Sequence, residues 1–162
     1  MRRQIAAAVA ALLMAAGITA AVPAPPASAA WGAESCANEN PGDTTRDWRV
    51  CMTPHTVGNS GGGYTLDRVQ VCAWHIAGGS NNFQKFKNGS FREFTGNGTP
   101  NGYIAMPDIP VGSCVNVATG GYKGGPFSSG SGASIQYNAT AVFPGQSDKP
   151  AGISMPCCSG GA

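Results

Sequence analysis

The pentapeptide Gly58-Asn59-Ser60-Gly61-Gly62 has the Gly-x-Ser-x-Gly spacing of a nucleophile elbow, with His55 five residues before the serine and His75 fifteen after it. A serine in this setting attacks an acyl carbon when an imidazole takes its proton and a carboxylate orients the imidazole. Six cysteines, Cys36, Cys51, Cys72, Cys114, Cys157 and Cys158, supply the other reactive side chains. A redox enzyme needs Cys-x-x-Cys at a helix start, which is absent, and a zinc site needs several ligands paired at short spacing, for which His55 and His75 are the only histidines on offer. The cysteines therefore read as three structural disulfides, and no metal or other cofactor is expected.

The same five residues resemble the nucleophile sequence Gly-Asp-Ser-Gly-Gly of trypsin-like serine proteases, with Asn59 at the aspartate position. In that family the histidine and aspartate come far upstream of the serine, and this chain is too short for the family's double barrel. An α/β-hydrolase elbow needs a helix after the serine, and the residues after Ser60 are glycines. The motif reads first as a turn, and a small serine hydrolase is the second alternative function. Asn38, Glu39, Asn40 and Asp43 do not fall at the offsets of an EF-hand loop. No spacing among the eight acids marks a glycosidase pair.

These side chains sit downstream of an export-like segment. Arg2 and Arg3 precede an apolar, alanine-rich run from Ile5 to Ala21, prolines follow, and Ala27-Ser28-Ala29 with Ser28-Ala29-Ala30 offers small-x-small cleavage sites. Residues 1–30 are read as a helical, bacterial-style secretory signal cut near Ala29/Ala30, and 31–162 as one extracellular domain. Loss of the signal removes two cations. Ten Lys+Arg minus Arg2 and Arg3 leaves eight, against eight Asp+Glu, so the mature chain is formally neutral. Nucleic acid as a partner loses its electrostatic basis, and no membrane association is expected after cleavage.

The mature sequence retains one leucine, Leu66, and abounds in Gly, Ser, Asn, Thr and Val. Helix formers are scarce, and short alternating runs between glycine-rich turns predict an all-β, antiparallel two-sheet sandwich, with a small β-barrel as the alternative. Expected strands cover Asp47–Thr53, ended by Pro54; Tyr64–Ala77, with a bulge and a late half covered on both faces; Tyr103–Met106; Ser113–Ala118; and Ser134–Phe143. Trp31–Thr45 and the tail from Pro144 read as loops. Asn88-Gly89 predicts a two-residue type I′ hairpin that sets Phe86 opposite Phe91, Phe83 opposite Phe94, and Lys85 opposite Arg92.

Six cysteines allow fifteen connectivities. Adjacent residues rarely bridge, so the Cys157–Cys158 pairing is set aside. A local Cys36–Cys51 bridge comes first, with Cys72 and Cys114 joined to the tail. The alternative joins Cys72 to Cys114 and sends Cys36 and Cys51 to the tail.

Function then falls to displayed aromatics and cations on a rigid scaffold. Phe83, Lys85, Lys87, Arg92 and Phe94 of the hairpin, with Tyr122, Lys123 and Phe127 of the glycine-rich 120–132 loop, form the expected binding set. The first reading is a secreted, non-enzymatic binding or adaptor module for an extracellular protein or glycan. A secreted inhibitor or toxin, including a subunit of an antagonistic complex, is the alternative.

Overall fold

A computed structural model describes residues 29–39, 47–58, 64–76, 82–94, 103–119, 127–128 and 133–157. The expected signal helix, Ser60, Tyr122, Lys123 and Cys158 lie outside the described residues. Among the described residues eleven strands run in order: β1 Ala29–Trp31, β2 Ser35–Asn38, β3 Arg49–Gly58, β4 Tyr64–Trp74, β5 Lys85–Phe94, β6 Ile104–Met106, β7 Ile109–Pro110, β8 Ser113–Ala118, β9 Phe127–Ser128, β10 Ser134–Val142 and β11 Lys149–Pro156. They form two antiparallel sheets packed as a sandwich. Sheet I has the order β1-β3-β4-β8, with β2 also on β3 and β9 also on β4; sheet II has the order β11-β10-β5-β6, with β7 also on β5. Among the described residues no helix is long and apolar enough to cross a membrane.

The core follows from alternation along the strands. Sheet I sends in aliphatics: Val50 and Met52 from β3, Leu66, Val69 and Val71 from β4. Sheet II sends in the aromatics Phe86, Phe91 and Tyr137 together with Ile109, Ile135 and Ile153, with Phe83 and Phe143 beside its strands. The rings make tilted and edge contacts, 4.7 Å between the centroids of Phe83 and Phe86 and 6.0 Å between Phe86 and Tyr137. Ring pairs of this kind add about 0.5–1.5 kcal/mol beyond the area they bury.

Pro54 does not end β3. Its carbonyl accepts from Gly32 N at 2.8 Å, so the side of Pro54 that lacks an N–H faces the edge where β3's partner changes from β2 to β1. β2 lies in the arm read as a loop, and β1 joins Ala29 and Ala30, the last residues of the segment read as a signal, to Trp31. The tail also forms a strand, β11, because it occupies the free edge of sheet II. Pro150, Gly152, Ser154 and Pro156 share one parity in the β10 register. Proline is tolerated on an edge strand when its missing N–H points away from the neighbour.

The predicted hairpin is absent. Residues 85–94 form one continuous strand, and both halves pair with β10: Phe86 with Ala141, Phe91 with Tyr137. Ser90 faces Asn138 and Lys87 faces Thr140, so Asn88 and Gly89 together oppose Ala139. This is a bulge, with Asn88 at φ 53°. Gly89 is needed there because a Cβ would come 2.9 Å from Met106 Cβ and 3.0 Å from the Tyr137 ring. The dipeptide's tolerance of positive φ serves a bulge instead of a turn. Phe83 consequently does not oppose Phe94, nor Lys85 Arg92.

Sheet I carries the described bridges. Cys36, Cys51, Cys72 and Cys114 are direct neighbours across β2, β3, β4 and β8, on the face away from the core. They pair as Cys36–Cys51 and Cys72–Cys114, with Cα–Cα distances of 4.1 and 4.0 Å. The four take each other as partners, so neither expected arrangement that bridges them to the tail occurs. Cys157 is buried and also disulfide-bonded, and its N–H donates to Ala133 O at 2.9 Å. The second half of β4 is covered on its outer face only in part: Cys72 is buried there, whereas Gln70 is half-buried and Trp74 is 37% exposed.

Candidate binding face

The bulge at Asn88-Gly89 decides which side chains β5 displays. It shifts parity once, so Phe86 and Phe91 both enter the core although they are five residues apart. Lys85, Lys87, Ser90, Arg92 and Phe94 therefore point to the outer face of sheet II, beside Val142, Thr140, Asn138, Gln136 and Ser134 of β10 in the same order. Four residues of the expected binding set, Lys85, Lys87, Arg92 and Phe94, thus share one face of one strand. Phe83 is 2% exposed and packs on Phe86 and Phe143, so the face is drawn without it. Phe127 contributes backbone pairing to Leu66 in sheet I and does not belong to this sheet.

The cations on the face are held differently. Lys85 Nζ donates to Asp108 and Lys87 Nζ to Asp148, each at 2.6 Å, across half-exposed surface. Exposed pairs of this kind contribute little stability but fix the direction of a long side chain. Arg92 lies 6.0 Å from the centroid of the Tyr103 ring, and Tyr103 is 67% exposed, the most open large apolar side chain among the described residues. Arg92 is in register with Gln136, and Gln136 with Ser154. The next row is Ala105, Ser90, Asn138 and Gly152. At its β11 end the face opens into a depression of about 410 Å³ lined by Gln136 and Asn138, by Pro150, Ala151, Gly152, Ile153 and Ser154 of β11, and by Trp48. Trp48 Nε1 is buried and has no hydrogen-bond partner among the described residues.

A second grouping lies on the outer face of sheet I. The long β4 does contain a bulge: His55 pairs with Arg68 and Thr56 with Leu66, which leaves Asp67 as the extra residue. The bulge turns Asp67 onto His55, whose Nδ1 meets the carboxylate Oδ1. Arg68 Nε lies 3.4 Å from the other oxygen, and the half-exposed Trp31 ring meets His55 edge-on, centroids 4.8 Å apart. An imidazole that donates from Nδ1 keeps Nε2 as an acceptor. His75, just past β4, stands edge-on to Phe83, and its buried Nδ1 has no partner among the described residues. Glu34, Cys36 and Cys51 are close enough to suggest a metal site, but both sulfurs are in a disulfide and neither is a thiolate ligand.

Asp67 carries no cue in the sequence, because only the bulge brings it to His55. Gln136 and Asn138 are legible as polar residues that alternate with the apolar ones along Ser134–Phe143. Their convergence with Arg92 depends on the β5–β10 pairing. The chain matches no protein-family model, no curated protein and no solved structure at a significant level.

Proposed function

We propose that this chain is an exported, non-enzymatic binding module that presents the outer face of sheet II to an extracellular protein or glycan. The observation that supports this reading is the alignment of Lys85, Lys87, Arg92 and Phe94 on one strand, with Arg92 over the exposed Tyr103 ring. Side chains held by ion pairs and a ring lose little further freedom on binding, which favours affinity. The test is retention of a partner from culture fluid or cell-envelope extract by immobilised protein. Arg92→Ala with Tyr103→Ala is expected to weaken retention tenfold or more while the thermal transition is kept. Undiminished retention would remove this face from the reading.

The His55–Asp67 contact favours a second reading, the small serine hydrolase. A carboxylate-oriented imidazole is the base such chemistry needs, although Ser60 lies outside the described residues. Labelling by a fluorophosphonate probe that disappears in Ser60→Ala would establish it, and the absence of labelling would close it.

A further inference from the structure

We infer that the depression at the β11 end of sheet II is a subsite for one residue of a neutral saccharide. The inference rests on the binding-module reading and supplies its ligand class. Trp48, Gln136, Asn138 and Ser154 line the depression with hydrogen-bonding groups, and none of its lining residues is charged. Each side-chain amide offers a donor and an acceptor, and the serine hydroxyl does both. Neighbouring sugar hydroxyls ask for this mixture, whereas an anion or a cation would meet no countercharge in the lining. Successive outward residues on a strand lie about 7 Å apart, and directly opposed ones about 5 Å. Gln136, Asn138 and Ser154 therefore surround an area suited to one ring. The floor at Gly152 is backbone: a Cβ there would come 2.8 Å from Tyr137 O and 3.0 Å from Asn138 Oδ1.

Two further observations select a sugar. Trp48 is 5% exposed, and its Nε1 has no hydrogen-bond partner among the described residues. A buried donor without a partner is costly, and a shift of the Trp48 side chain that opened Nε1 to a ligand hydroxyl in the depression would relieve that cost. The competing occupant is an extended peptide added to the free edge of β11. Pro150 and Pro156 fall on the same parity as Gly152 and Ser154, so two of the four positions facing that edge lack an N–H. Strand addition draws its affinity from such groups, and this edge is poorly made for it.

The test uses the full mature chain with cellohexaose, xylohexaose, laminarihexaose and chitohexaose as probes. Trp31→Phe with Trp74→Phe leaves Trp48 as the one indole, since the chain has three tryptophans. At least one probe is expected to shift Trp48 emission saturably. Gln136→Ala with Asn138→Ala, both on the solvent side, should weaken that binding tenfold or more. Trp48→Phe, followed by calorimetry, should weaken it severalfold; the double alanine variant keeps the test decisive if the phenylalanine variant folds poorly. Binding unaffected by the double variant would overturn the subsite. No response of Trp48 to any of the four probes would overturn the saccharide assignment. In that case, retention that still depends on Arg92 and Tyr103 would leave the module reading standing.

Discussion

The two sheets solve the same problem with different materials. Sheet I gives aliphatics to the core and fixes its outer face with a row of four bridged cysteines. Sheet II adds a cluster of aromatics to its own aliphatics in the core, has no bridge between its strands among the described residues, and trims its outer face with Lys85–Asp108 and Lys87–Asp148. A chain with one leucine beyond the export-like segment must compensate for a thin core, and sheet I does so covalently. That leaves sheet II with an outer face free of structural staples, where polar and aromatic side chains can be displayed.

The largest expected effect breaks sheet I. Removing the Cys72–Cys114 bridge, whose partners are 42 residues apart, as Cys72→Ala/Cys114→Ala should cost about 4 kcal/mol in the chain-entropy account, against about 3 kcal/mol for the shorter Cys36–Cys51 loop. Urea titration of both double variants checks the ranking. Equal losses would show that loop length does not govern the difference.

In sheet II the sensitive point is the bulge. Gly89→Ala places a methyl against Met106 and the Tyr137 ring, and overpacking of this kind costs about 1–3 kcal/mol. If Gly89→Ala melts with the parent protein, the bulge does not depend on that close approach.

Tyr137 sharpens the contrast through pH. Burial raises its hydroxyl pKa above the ordinary 10.0, and Asp108 adds to the effect. The folded state favours the neutral phenol, so this contribution is complete below about pH 10 and is lost as pH rises beyond it. Tyr137→Phe should flatten that alkaline decline. It also removes a buried hydroxyl that has no partner among the described residues, so it should gain about 1 kcal/mol at neutral pH. Denaturant midpoints from pH 7 to 11 would decide, and a decline as steep in Tyr137→Phe as in the parent would place its origin elsewhere. The smallest effect belongs to the rim: Lys87→Ala should change stability by no more than about 0.5–1 kcal/mol, measured by the same titration, and a larger loss would mean that the ion pairs hold sheet II together.

Legibility in the sequence followed locality. Ser134–Val142 was readable because its period-two pattern is decided within the strand, and Cys36–Cys51 because the loop it closes is short. Asn88-Gly89 misled because a bulge and a type I′ turn both need positive φ, and only the partner strand distinguishes them. Pro54 read as a strand end and the tail that holds Pro150 and Pro156 as a loop, yet each proline occupies an edge or a change of partner that no local window reveals. The face on sheet II inherits this division. Its residue types were visible along β5 and β10, while the depression at β11 arises from a tail strand that composition assigned to a loop.

The cysteine row also bears on how the chain oxidises. Cys51 and Cys72 are themselves opposed across β3 and β4. The β3–β4 hairpin alone could therefore close a central bridge before β2 or β8 docks, leaving Cys36 and Cys114 as solitary thiols at either flank. Escape from that state requires thiolate attack on the central bond. The yield of native protein should therefore depend on an isomerase or a thiol buffer, and a purely oxidising medium should favour the misbridged form.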